Sequence, residues 1–195
     1  MPQVQIRPAK PADLPQIRTI NTHYILHTSL TFAQAPVAAE THATKYDDLR
    51  QRGLPYLVAV DTHEHRQEEV IVGYTYLSPF REQLLAYAPT VELTLFVHPE
   101  HHLRGIGSLL LGEVLGMLHR RVIFHCLAED ERTVVQNIIA VMAVDPEGKD
   151  GGEALRRWYL NRGFVERGRL EKVGFKRGFW IDTVYLQCSA SGSES

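Results

Sequence analysis

The sequence predicts a single α/β (α+β) domain built on one mixed sheet flanked by helices. Three observations predict it. The chain has 195 residues, 44% of them hydrophobic, which supports one core and leaves little for a second. Its apolar segments alternate between strand and helix periodicity, with paired strands at both ends. A glycine loop also leads straight into an apolar helix. The domain is expected to span residues 1–188, followed by a polar tail at 189–195, and no internal repeat is visible.

Each element follows from local chemistry. Residues 4–6 alternate as a short strand that ends at Arg7-Pro8, and Pro11-Ala12-Asp13 opens a helix carrying Leu14, Ile17, Ile20, Tyr24 and Ile25 on one face. Pro36 starts a second helical stretch through Tyr46 and Leu49, stopped by Gly53 as a left-handed cap. Residues 55–60 and 70–76 read as antiparallel neighbours joined by the polar run 61–69, and residues 90–97 as another strand. The loop 103–108 then feeds a helix with Leu109, Leu110, Leu111, Val114, Leu115 and Leu118. Residues 138–144 form a buried strand, 153–162 a helix stopped by Gly163, and 164–173 and 179–187 two closing strands. The run 120–137 exceeds the usual connection of up to about 12 to 15 residues. Residues 145–152, rich in glycine and charge, read as a mobile loop.

Composition excludes several classes of function. Lys and Arg total 21 against 23 Asp and Glu, a formal net charge of -2, so no broad basic field exists for nucleic acid or an anionic membrane. Two cysteines, Cys126 and Cys188, give neither a disulfide framework nor a structural zinc site. No apolar run approaches the roughly 20 residues of a membrane span, and residues 1–10 lack the apolar centre of a signal peptide. A cytoplasmic protein is expected. The ten histidines, including His63, His65, His98, His101 and His102, lack the spacing of a catalytic zinc motif, so no metal is expected.

The glycine loop is the most informative segment. Gly105 and Gly107 would let the backbone approach an anion while the next helix aims unpaired N–H groups at it. A diphosphate site and an empty glycine-capped turn both remain open on these residues alone. No Gly-Lys-Ser/Thr follows, which excludes a P-loop, and no third glycine completes a dinucleotide fingerprint.

Together the motifs resemble a family. The strand Val91-Glu92-Leu93-Thr94-Leu95-Phe96-Val97, a polar loop and Arg104-Gly105-Ile106-Gly107 look like the cofactor core of the Gcn5-related N-acetyltransferases. Tyr159-Leu160-Asn161-Arg162-Gly163-Phe164 matches that superfamily's helix-to-strand signature. The segments 6–9, 23–25 and 174–182, the last reading Gly-Phe-Lys-Arg-Gly-Phe-Trp-Ile-Asp, resemble the phosphinothricin and methionine sulfoximine acetyltransferases. The resemblance covers about residues 4 to 187 and implies a mostly antiparallel sheet, acetyl-CoA as cosubstrate, and a homodimer. His102 stands where the family has Gln or Arg, and Gly152 where it has Asn.

The resemblance also implies roles. Leu95, Phe96 and Val97 would align pantetheine, and Leu103, Arg104, Gly105, Ile106, Gly107 and Ser108 would hold diphosphate. Glu92, a carboxylate among apolar strand neighbours, has a raised pKa suited to a general base, although the alternation also permits an outward-facing residue. Tyr159 would protonate the leaving thiolate, or it is a core aromatic. Arg81, Glu82 and Gln83 match the substrate loop, with Arg81 placed to hold a carboxylate. Tyr24, Phe32, Thr94 and Trp180 would complete the acceptor pocket. The reading is acetyl transfer to the primary amine of a small amino-acid-like molecule. Its alternatives are a transferase for protein N-termini or other amines, and a catalytically silent acyl-CoA-binding module.

Overall fold

The computed structural model describes residues 4–62, 69–82, 84–121, 123–125 and 132–190. In chain order the elements are β1 (Val4–Pro8), α1 (Leu14–His27), α2 (Ala39–Gln51), β2 (Tyr56–Asp61), β3 (Val70–Pro79), β4 (Thr90–Val97), α3 (Ile106–His119), β5 (Ile123–His125), β6 (Arg132–Val134), β7 (Asn137–Val144), α4 (Glu153–Leu160), β8 (Val165–Lys176) and β9 (Phe179–Ser189). One seven-stranded sheet runs β1-β2-β3-β4-β7-β9-β8, and β5 pairs with β6 separately. Within the main sheet only β4 and β7 are parallel, so the sheet is mixed and mostly antiparallel.

Alternation along β3 separates the two layers of helix. A Cβ on Gly73 would meet Leu110 and Ile106 of α3 at 3.1 and 3.2 Å. Tyr74, the next residue, faces the other way and packs with Tyr56, Tyr76 and Phe96, while Phe96 packs on Tyr24 of α1. Helices α1 and α2 therefore cover one face and α3 and α4 the other. Burial is nearly complete along Ile17 and Ile20 of α1, Leu110, Leu111 and Val114 of α3, and Val58, Val72, Val91 and Ile138 of the sheet. At the chain's start Arg7 grips Asp13 through two hydrogen bonds of 2.7 and 3.0 Å, which locks β1 to the entry of α1.

Several boundaries differ from the sequence expectation. Helix α2 begins at Ala39 rather than Pro36, because Ala38 is extended and the Val37 carbonyl accepts a hydrogen bond from Arg18 Nε at 3.2 Å. Helix α3 begins at Ile106 rather than Leu109, since the Gly105 carbonyl already accepts the Leu109 N–H at 3.1 Å. The long 120–137 connection supplies β5 and β6, and its Phe124 joins the core. The 145–152 segment is tied down: Asp145 is buried and accepts from the N–H groups of Glu147 and Gly148, and a 3-10 turn spans Lys149–Gly152. Strand β9 takes in Ser189, and buried Ala190 donates its N–H to Gln136 at 2.8 Å.

Candidate active site

The single parallel pair creates the site. Strands β4 and β7 share only three register pairs, Thr90 with Asn137, Val91 with Ile138 and Glu92 with Ile139. Beyond them β7 continues pairing with β9 as far as Val144, while β4 continues with β3 as far as Val97. The sheet thus opens after Glu92, leaving the β7-facing backbone of residues 93–97 without a strand partner. Such groups need hydrogen-bond partners, and an extended ligand inserted in the gap can supply them.

Glu92 stands at this fork on the α1/α2 face, in register with Ser78 and Ile139. Burial pushes its carboxyl above the ordinary carboxylate range, and the Lys45 ammonium only partly offsets this. A carboxylate so placed binds a proton more strongly than one in water, as a general base requires.

At the far end of the fork lies the glycine loop. Leu103 and Gly105 both take positive φ, 62° and 78°, and they turn the chain so that α3 points its N-terminus along β4. Gly107 is inside the helix and its constraint is space: a Cβ there would meet Trp158, Val97 and Leu95 at 3.6 to 3.8 Å. Ser108 accepts a hydrogen bond of 2.7 Å from Arg162, whose guanidinium also stacks on Trp158 at 4.2 Å. The loop, the end of β4 and α4 therefore form one wall. Free helix N–H groups with the positive end of the dipole suit a diphosphate there, and the residues present fit one.

Tyr159 hangs from α4 on the opposite face from Glu92, packed edge-on against Trp158 and Phe164. Burial pushes its hydroxyl up to about 12. At neutral pH it is a neutral donor, with no hydrogen-bond partner among the described residues.

Other anticipated residues sit apart. Tyr24 donates to the Val97 carbonyl at 2.6 Å and contacts His102 Nε2 at 2.7 Å, so it braces the loop end of β4. Its partner His102 occupies the position where Gln or Arg was anticipated. Thr94 gives its carbonyl to Thr75 Oγ1 at 2.7 Å and its side chain to Tyr76. Glu82 turns to Arg52 at 2.5 Å, away from Arg81. Phe32 packs on Gly174, and Trp180 is 60% exposed at the tip of the β8–β9 hairpin. Gln83 and Cys126 lie outside the described residues. Gly152, the left-handed cap of α4, has no room for a side chain: its Cβ would lie 2.8 Å from the Asp145 nitrogen. Among the described residues no group of three or more His, Cys, Asp or Glu could hold a metal.

A cavity of about 480 Å³ opens beside Glu92 on the same face, floored by Ile139, Tyr185 and Gln187 and edged by Phe80, Arg81 and β8. Arg81 lies at its rim. Arg167 and Gln187 in this wall, and Trp158 and Arg162 in the other, were not anticipated. Arg162 falls inside a motif already noted, whereas the only local mark of Arg167 is the glycine that follows it.

A forked mixed sheet, a glycine-capped helix at the fork and a desolvated carboxylate within it define an acyl-transfer architecture. The acetyltransferase (GNAT) family model matches residues 22–147, and the chain belongs to that family. It is 31% identical to a phosphinothricin N-acetyltransferase of Streptomyces coelicolor, over 95% of this chain and 95% of that protein. It is 25% identical to an L-methionine sulfoximine/L-methionine sulfone acetyltransferase of Salmonella typhimurium, over 93% and 92% of the two. Among solved structures it is similar to a phosphinothricin acetyltransferase from Sinorhizobium meliloti in complex with AcCoA. That likeness has a TM-score of 0.79 and 28% identity, covering 98% of this chain and 91% of that one.

Proposed function

We propose that the chain transfers an acetyl group from acetyl-CoA directly to the primary amine of a small amino-acid-like acceptor, of the phosphinothricin or methionine sulfoximine type. The observation that carries this reading is the position of Glu92 at the last register pair of β4 and β7, with the glycine loop at the other end of the gap. Residues 95–97 offer backbone groups to the pantetheine amides, and residues 103–108 offer the helix terminus to the diphosphate. The thioester is thereby held at the fork, between the two layers.

Glu92 takes a proton from the acceptor ammonium, directly or through water, which frees the lone pair. The amine nitrogen bonds to the acetyl carbon, the carbon–sulfur bond breaks, and CoA leaves as a thiolate. Tyr159 donates to that sulfur. A thiol has an ordinary pKa of about 8.5 against about 12 for Tyr159, so the hydroxyl acts first as a hydrogen-bond donor to developing charge. Full proton transfer then needs the proton released by the amine. No covalent enzyme intermediate is required.

The same reading includes a homodimer associated through the β8–β9 hairpin, supported by the exposed Val173, Phe175 and Trp180. It also includes a cytoplasmic location, supported by the low cysteine count. The test is CoA thiol release with acetyl-CoA over a panel of methionine sulfoximine, phosphinothricin, free amino acids, polyamines and peptides. Turnover on amino-acid-like acceptors above the rest is expected. Peptides as the best acceptors would overturn the small-acceptor reading, and binding of acetyl-CoA without release on any amine would overturn catalysis.

A further inference from the structure

Strand β8 carries a bulge where it matters most for the acceptor. Glu166 pairs with Leu186 and Gly168 with Tyr185, so Arg167 is an extra residue in the ladder. Glu166 faces α4, bonded to Arg156, and in a regular strand Arg167 would be the position opposite Tyr185. The bulge gives both Arg167 and Gly168 to that position, so the arginine keeps the cavity face with a glycine beside it. Its Nε donates to Gln187 Oε1 at 3.1 Å, which draws the guanidinium back over β9. Gly168 beside it leaves the space open, with nothing within 4 Å of where its Cβ would be.

The charge of this cavity is one-sided. Arg81, Arg167 and Arg169 line it, and among the described residues no carboxylate does. Arg169 is already engaged, bonded to Asp182 and Glu153 at 2.8 Å each. Arg81 and Arg167 have no carboxylate partner among the described residues. They also lie in different directions from Glu92. Arg81 follows β3, whose Pro79 pairs with Val91. Arg167 sits across β7 and β9, over Gln187, which is the register partner of Ile139 and hence two strand spacings from Glu92, about 10 Å.

We infer that Arg167 selects acceptors bearing a second anionic group. This rests on the amine-acetylation reading and names its substrate class: an α-amino acid whose side chain ends in a carboxylate, phosphinate or similar anion. The amine lies at Glu92 and the α-carboxylate, one carbon away, at Arg81. A side chain of two or three carbons running across Ile139 brings its terminal anion to Arg167, which Gln187 holds in place while its own amide nitrogen is bonded to Asn137 and Ser189. A guanidinium offers two parallel N–H groups to such an anion, and with Nε bound to Gln187 the two terminal nitrogens of Arg167 remain for it. An acceptor with a neutral end forgoes a charge-assisted hydrogen bond there, worth about 10- to 150-fold in kcat/KM.

The experiment compares L-glutamate with L-glutamine, nearly isosteric and differing in the charge at issue, as acceptors for the wild type, Arg167→Met and Arg167→Lys. The readout is the ratio of kcat/KM values by CoA thiol release. Wild type is expected to favour glutamate at least tenfold, Arg167→Met to lose that ratio, and Arg167→Lys to recover part of it. A merely structural arginine would change both acceptors together and leave the ratio intact. Equal use of the two by wild type, or a ratio untouched in Arg167→Met, would overturn the inference while transfer to either still upheld acetylation of amino acids. Should Arg167→Met not fold, the wild-type ratio together with Arg167→Lys decides the matter. No release with either amino acid, alongside release with peptides or polyamines, would overturn both this inference and the small-acceptor reading.

Discussion

Two carboxylates of this molecule, buried Asp13 and half-buried Glu92, are driven in opposite directions. For Asp13 burial opposes the charge, but the hydrogen bonds from Arg7 and from the Lys10 N–H outweigh it, and its pKa is lowered. The stability it contributes is present above the unfolded carboxylate value and is lost as pH falls through the depressed one. Asp13→Asn removes one of the two carboxylate partners of Arg7, with Glu69 remaining, and should cost about 2 kcal/mol, a fall in Tm of roughly 4 to 8 °C, measured by thermal denaturation at pH 7. Glu92 is raised, chiefly by burial. Its ionised form works against folding above that raised pKa, and stability increases as pH falls through it. Glu92→Gln should therefore lower kcat by about 10²-fold or more and remove the acidic limb of the pH profile. It should do so without lowering Tm at pH 7 to 8. Loss of turnover together with a large loss of Tm would mean that Glu92 is structural and not the base.

At the scale of elements, glycine shows why some of the site was legible and some was not. Gly105 was readable because a glycine before an apolar helical stripe announces a positive φ and an approachable helix end. Its Cβ would meet open space, so Gly105→Ala should cost only about 1 kcal/mol, the left-handed penalty. Gly152 was not readable. Its need for glycine comes from Asp145, seven residues back, whose backbone nitrogen and oxygen lie 2.8 and 2.9 Å from the would-be Cβ. Gly152→Ala should cost about 3 kcal/mol or more through strain and overlap and should lower kcat by displacing α4 with Tyr159; denaturant titration beside steady-state kinetics checks both. The order of strands followed the same rule. Periodicity announced β1 to β4, β7 and the closing hairpin, but not that β4 would be parallel to β7 for three pairs and then part from it. Local pattern also gave no sign of β5 and β6, which are three residues each. Tyr24 was readable as part of the apolar face of α1, yet the partners of Tyr24 and Phe32, Val97 with His102 and Gly174, are set by the crossing of distant segments.

For the whole molecule, the imbalance lies at the β8–β9 hairpin. Leu170, Val173, Phe175, Phe179 and Trp180 are 38 to 60% exposed, on an element that closes the sheet at its edge. An aromatic side chain buries about 150 to 250 Å² when covered. Half-exposed Phe175, Phe179 and Trp180 thus offer roughly 300 Å², and the aliphatic pair enlarges the patch. A stable interface needs about 800 Å² per partner, so the hairpin supplies the apolar centre and Lys172 and Arg177 a polar rim. The chain itself holds the hairpin in place: Lys176 Nζ bonds the Thr31 carbonyl at 2.7 Å and Gln34 bonds the Phe175 carbonyl at 3.3 Å, fixing its tip to the α1–α2 connection while Phe175 and Trp180 stay exposed. Light scattering at tens of micromolar should give twice the monomer mass. Trp180→Asp, which places a charge at the centre of the patch, should weaken association at least 30-fold, as loss of a central anchor of about 2 kcal/mol implies. Its Tm at dilute, monomeric concentration should match that of the wild type, because Trp180 is mostly exposed. A wild-type protein that stays monomeric at that concentration would refute the dimer, and a Trp180→Asp dimer as tight as wild type would move the interface elsewhere.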